Sequence, residues 1–348
     1  MKRPNREQLR YIERVARRCR KCELRAAHKK LRRPKYARQL ARSYAGKTIV
    51  VVAPEKFDIA VDEFRPPLIF FLHRIKYLLM NGANVRISFE KTTNLLPAGT
   101  LLLVATLESL LEVYPNRISS NYPSDHVVEQ LFQHIGLLQK LGNGPRRVIT
   151  ADNVRHWHLI RGTTADVSEF KNLFSTFESQ LGHDTEAGLF ESMSEAVTNT
   201  VQHAYPKIKG EIDSIESRWW MFAQQKDDKL DVTICDLGVG IPKSLTYKRE
   251  LAEILPALIR RLRKRADSGL IEVAVESSRS RTKLPHRGKG LPDMLAFIRR
   301  VNEGGFLICS LRGQLIYNAK FRRETARDFA DSVPGTLIQW NLPLLNVK

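Results

Sequence analysis

The sequence predicts an α+β protein: an α/β layer domain followed by a second domain of strands and helices, with a basic helical extension at its N-terminus. Three observations predict it. The chain has 348 residues, more than one hydrophobic core usually organises, and its 43% hydrophobic content is enough for real cores. From residue 47 onward, short apolar strands alternate with stretches of helical periodicity. The charge is also uneven, since 17 Lys or Arg against three Glu give residues 1–46 a net +14 of the chain's +20.

The elements follow in order. Within residues 6–31, Leu9, Ile12, Val15, Ala16 and Cys19 recur at helical spacing among Arg and Lys, so the extension reads as a basic amphipathic helix, interrupted at Pro34 and closed at Gly46. A strand is expected at Ile49 to Ala53. A helix after Pro66 and Pro67 carries Leu68, Phe71, Leu72, Ile75, Leu78 and Leu79 on one face and stops at Asn81-Gly82. A strand at Val85 to Phe89 and helices at Thr100 to Val113 and Asp125 to Leu141 complete a domain over 47–145. GNGP at 142–145 marks a turn, and Val154 to Arg161 reads as an entry strand within a linker, 146–164, before the second domain at 165–348.

Composition excludes some classes. No run of 18 uncharged apolar residues appears, and the basic N-terminus lacks the apolar segment of a signal peptide. Four scattered cysteines do not make a disulfide framework in a chain of this size, so a cytoplasmic protein without membrane contact is expected. The basic arm is a candidate nucleic-acid contact, because cations that neutralise phosphates release counterions, but charge alone reads no sequence; a solvated or protein-docked arm is the alternative. CRKC at 19–22 has half a zinc knuckle's spacing without a second cysteine pair, and Cys19 already fits the apolar stripe. His156 and His158, alternating around Trp157, read as surface or interface histidines.

The chemistry is expected in the C-terminal half. In LFESMSEAVTNTVQHAYP, residues 189–206, an apolar helical face is accompanied by Glu195, Asn199 and His203 four apart, which places the three near one side. A carboxylate one turn from a carboxamide offers a base and a neutral oxygen donor suited to Mg2+. His203 reads equally as a helix-end residue satisfying carbonyls before Pro206. DVTICDLGVGIP, residues 231–242, is an apolar strand ending in Asp236, with Gly238 and Gly240 spaced for close backbone approach. HRGKGLPDML, residues 286–295, sets Gly288 and Gly290 before a helix through Met294, Leu295 and Ile298, and a helix N-terminus flanked by Arg287 and Lys289 suits a phosphate. PGTLIQWNLPL, residues 334–344, puts Thr336 at the head of a closing strand.

In order and spacing these four segments resemble the boxes of the GHKL, or Bergerat-fold, superfamily, closest to the anti-sigma serine kinases and histidine kinases. The resemblance covers 165–348 and implies a sandwich of a mixed sheet and helices around an ATP site. It implies that Asn199 ligates Mg2+ and that Asp236 reads the adenine amine. Gly238 and Gly240 would shape the adenine pocket, while Gly288, Lys289, Gly290 and Leu291 cover phosphates. Thr336 would support Asp236, and Glu195 would be the catalytic base. The 45 residues between Pro242 and Gly288 are long and basic for an ATP lid: they read either as a flexible lid that closes over the phosphates or as an extension of the basic surface of the N-terminal arm. The stretch VRISFEKTTNLLPAGTLLLVATLESLL resembles a STAS domain, with Ala98 where that family carries a phosphorylatable Ser; this implies a protein-partner domain without a phospho-switch.

Three functions fit these expectations. The first is an ATP-binding regulatory protein, hydrolysing ATP with Mg2+ to switch partner or nucleic-acid contacts. The second is a serine/threonine kinase acting on a separate protein. The third is a nucleic-acid-binding scaffold with a nucleotide-sensing pocket. A homodimer is compatible with each. Autophosphorylation on histidine is disfavoured, because no two-helix segment presenting a phosphoacceptor His precedes the second domain.

Overall fold

The computed structural model describes residues 44–175, 180–206, 217–247, 267–276 and 290–345. The N-terminal unit is built on strands β1 (Thr48–Val52), β3 (Asn84–Ser88) and β5 (Ile118–Ser120), paired in parallel in the order β1-β3-β5. A two-residue bridge joins β2 (Lys56–Phe57) to β4 (Asn94–Leu95). Helix α1 (Arg65–Met80) buries Leu68, Phe71, Leu72, Ile75, Leu78 and Leu79, as its apolar spacing requires.

Helix α2 (Pro97–Val113) starts three residues before the expected Thr100, because Pro97 can open a helix where its missing N–H costs nothing. It is buried without a break from Pro97 to Glu108. Such a helix is apolar all round because it has a layer on either side. One helix was expected over Asp125 to Leu141; there are two, α3 (His126–His134) and α4 (Leu137–Lys140). Gly136 breaks the run with a left-handed backbone at φ 73°. Asp125 caps α3 by accepting from the N–H groups of Val127 and Val128.

The entry strand also starts later than expected, since Val154 lies in a helical turn, α5 (Asp152–Arg155), and β6 runs Trp157–Gly162. His156 therefore ends that turn and precedes the strand, while His158 lies within it.

The C-terminal unit is a five-stranded sheet in the order β6-β7-β8-β10-β9, with β7 (Trp219–Lys226), β8 (Lys229–Asp236), β9 (Gly305–Asn318) and β10 (Arg323–Pro343). Every neighbouring pair is antiparallel, where a mixed sheet was expected. Alternation along each strand sends side chains to two different cores. Met221, Leu230, Val232, Ile234, Ile308, Ile338 and Trp340 pack under α6 (Ser168–Ser175), α7 (His183–Asn199), α9 (Asp267–Glu276) and α10 (Leu291–Val301). Trp220, Phe222, Cys235, Cys309 and Leu337 face the other way and join the core of the N-terminal unit, chiefly through α2.

The two units thus share a core, and polar contacts close its rim. Glu108 of α2 accepts from Trp220 Nε1 at 2.7 Å and pairs with Arg161 at 2.8 Å and Lys140 at 3.0 Å. The fully buried Arg65 reaches Asp331 at 3.0 Å and Leu311 O at 3.3 Å, and it stacks on Phe329. It meets β10 where the pairing with β9 is shifted between Asp328 and Thr336.

Part of the expected lid is packed structure. Helix α9 buries Leu270, Ile271, Val275 and Ala274, and Asp328 anchors its start by accepting from the Ser268 N–H and hydroxyl. The basic extension at 1–43 and the rest of the lid, 248–266 and 277–289, lie outside the described residues. No helix among the described residues is long and apolar enough to cross a membrane.

Candidate functional site

Helix α7 brings Glu195 and Asn199 together because residues four apart lie one above the other; Asn199 Nδ2 stands 3.4 Å from Glu195 Oε1. The α-helix then gives way to a π-helical segment, Thr200–Ala204. His203 lies within this segment and is half-buried. The chain leaves this segment at Tyr205, half-buried beside the end of β8.

Asp236 ends β8 and is buried at 5% exposure. Its Oδ1 accepts from Gly238 N–H at 2.8 Å, and its carboxylate is also reached by the Thr336 N–H and the Thr200 hydroxyl. Burial dominates and pushes its pKa up to about 7, with the three hydrogen bonds opposing the rise. Thr336 stands directly opposite it in the β8–β10 ladder. This carboxyl is held in place by donors, yet it is expensive to ionise without a further partner.

The loops around it come closer than any side chain would allow. A Cβ on Gly238 would fall 2.2 Å from Ala204 O, and one on Gly335, at φ 69°, would fall 2.0 Å from Asp236 O. Gly240, at φ 82°, turns the chain into the short helix α8 (Ile241–Tyr247). Ser310 ties these loops together: its hydroxyl accepts from Ile241 N–H, donates to Gly335 O and lies 3.1 Å from the Thr336 hydroxyl.

At the other end of the site stands Gly290, the N-cap of α10. A Cβ there would come within 3.3 Å of Glu195 Oε1 and 3.7 Å of Asn199 Nδ2, so the start of α10 abuts the carboxylate and carboxamide of α7. A helix N-terminus presents unpaired N–H groups and a partial positive charge beside these oxygens. Leu291, first in α10, packs half-buried against the core. Gly288 and Lys289 lie outside the described residues.

Three participants were not read from sequence as site residues. The Tyr205 hydroxyl donates to Arg218 O at 2.9 Å and accepts from Leu237 N–H at 3.1 Å, pinning the residue after Asp236. Burial and the nearby Asp236 raise its pKa, so it stays a neutral phenol. Ser310 carries no local signal, being one small residue in an apolar strand. Thr200 was read as part of the apolar face, although its hydroxyl also reaches Ala196 O at 3.1 Å.

Among the described residues no group of three or more His, Cys, Asp and Glu could hold a metal ion alone. Glu195 and Asn199 offer one carboxylate and one carboxamide, the sparse oxygen set that suits Mg2+ when phosphates and waters complete its shell. No protein-family model matches the chain, and no curated protein matches it in sequence.

Proposed function

We propose that this chain is a Mg2+-dependent ATP-binding regulator of the GHKL type, with phosphoryl-transfer capacity at Glu195 and a STAS-like N-terminal unit for contact with a partner. The observation that carries the reading is the spatial order of its parts. A buried acceptor, Asp236, lies at one end of the site, and an oxygen-bearing helix, α7, faces the N-terminus of α10 at the other. The first end suits a base with an exocyclic amine and the second suits phosphates.

Each residue's task follows from its surroundings. With Oδ1 taken by Gly238, Asp236 keeps acceptor capacity for an amine, and a donated proton there would relieve its costly burial. Gly238 and Gly335 let backbone approach the base closely. Asn199 offers its carbonyl oxygen to the metal. Glu195, one turn earlier, is within reach to accept a proton from an attacking hydroxyl. Bound Mg2+ would supply charge neutralisation to the phosphates. The shared core places α2 of the N-terminal unit against β7 and β8, the strand that carries Asp236, so nucleotide occupancy has a packed route to that unit.

Calorimetry with Mg-ATP tests the reading. Wild type is expected to bind, and N199A is expected to lose the Mg2+-dependent part of the affinity. D236N is expected to lose binding outright, because an amide donor replaces the acceptor. Undiminished affinity in both variants, or no binding by wild type, refutes it.

A further inference from the structure

Strand β6 is an edge of the five-stranded sheet, paired only with β7. Gln225 N–H donates to His156 O at 3.3 Å, which fixes the alternation: His158 and Ile160 address β7, while Trp157, Leu159 and Arg161 turn their backbone groups outward. Trp157 O shows the outward direction directly, since His134 Nε2 lies 2.9 Å from it. The outward N–H and C=O groups of Leu159 and Arg161 have no hydrogen-bond partner among the described residues.

These groups open into a cleft of 530 Å³ lined by all five residues from Trp157 to Arg161. His134 and Ile135, at the end of α3, form one wall, and Glu169, Asn172 and Leu173 of α6 form the other. The side chains divide in the same way, Trp157 and Leu159 into the core shared with the N-terminal unit and Ile160 toward the α6 layer. The sheet edge therefore lies in a slot between two helical walls.

We propose that this slot binds an extended peptide of a partner protein as a sixth strand beside β6, with apolar side chains at alternate positions and a basic side chain next to Glu169. Three observations select that occupant. Unspent main-chain donors and acceptors in a row are matched by another main chain, as in β-strand addition, and a compact ligand would leave them dry. A second copy fits poorly, because its own β6 lies recessed between the same walls and two recessed edges cannot meet. Charge favours a cation: Arg161 is already paired with Glu108, whereas Glu169 has no ion pair among the described residues. His158 does not reverse this, since burial and the neighbouring imidazoles of His134 and His156 lower its pKa. His134 blocks Trp157 O, so pairing is confined to Leu159 and Arg161.

The test uses the full chain and a fluorescein-labelled seven-residue peptide that alternates valine with lysine and threonine, followed by anisotropy. Two further probes carry backbone N-methyl groups, one on the valines and one on the polar residues. Strand addition predicts an asymmetry, because methylating the set that faces β6 removes its N–H donors and should weaken binding about 10- to 100-fold, whereas the other set points away. Glu169→Lys, an exposed change, should weaken the lysine-bearing probe and restore a version with glutamate in place of lysine. Absence of binding, or equal loss from both methylated probes, overturns the proposal. So does a free chain that is dimeric in light scattering and dissociates when peptide is added, since the occupant would then be a second copy. ATP plays no part in the assay, so its outcome is separate from that of the nucleotide reading.

Discussion

Asp236→Asn should make the protein more stable at pH 8 while removing its nucleotide binding. The carboxyl's pKa is raised from 3.8 to about 7 by burial. A folded carboxyl with a raised pKa binds its proton more tightly than the unfolded chain does between about pH 4 and pH 7, so stability is full below that window and is lost as pH rises through it. At about 1.36 kcal/mol per pH unit, the cost of holding Asp236 ionised reaches about 4 kcal/mol as an upper bound at pH 8. D236N keeps an oxygen for the Gly238 N–H and carries no charge, so it should recover about 2 to 4 kcal/mol there and nothing at pH 4. Urea unfolding followed by the fluorescence of the buried Trp219, Trp220 and Trp340, at steps from pH 4 to pH 8.5, measures this. The wild-type minus variant difference should fall by about one proton's slope across the window. A variant less stable than wild type at pH 8, or a difference flat with pH, refutes the burial argument. ATP affinity should move in the opposite direction, weakening as pH falls below about 7, because the protonated acid no longer accepts from an amine.

Three further outcomes follow from the same geometry. Glu195→Ala should leave Mg-ATP affinity within a few-fold and slow phosphoryl transfer about 10² to 10⁴-fold in a labelled-phosphate assay, whereas equal rates would remove Glu195 as the base. Tyr205→Phe strands Leu237 N–H and Arg218 O, so urea unfolding should show a loss of about 1 to 3 kcal/mol, and an unchanged midpoint would mean that water replaces the hydroxyl. Glu108→Ala leaves Arg161, Lys140 and the Trp220 indole without their common acceptor; about 3 kcal/mol should be lost, and the Trp220 fluorescence should report a loosened contact between the two units.

Much of the chain's local structure was legible in advance because periodicity reports which face of an element is buried. The stripe from Leu68 to Leu79 gave α1, and the apolar run before Asp236 gave β8. Boundaries were less legible where one residue decides them: Gly136 splits a run whose apolar spacing continues on both sides, and a helical turn precedes β6 where β-branched and aromatic residues resemble a strand. The stretch between Pro242 and Gly288 reads as a lid through the family resemblance, yet it includes α9, whose apolar residues are covered by β9 and β10 and by the helices at Ile241–Tyr247 and Leu291–Val301.

The sequence by itself determined where charge concentrates, which helix carries Glu195 and Asn199 one turn apart, and that Asp236 terminates an apolar strand with glycines after it. These are properties of residues within a few positions of one another, so spacing alone expresses them. Tertiary structure decided what faces what. Only packing puts Gly290 against Glu195, sets Ser310 between Ile241 and Gly335, and links Trp220 to Glu108 across 112 residues of chain. It also decided that Asp236 is buried deeply enough to resist ionisation and that β6 is a recessed edge rather than an open one. Burial, the local dielectric and the partner of a given backbone group depend on atoms that distant segments bring in, and no local pattern encodes those distances.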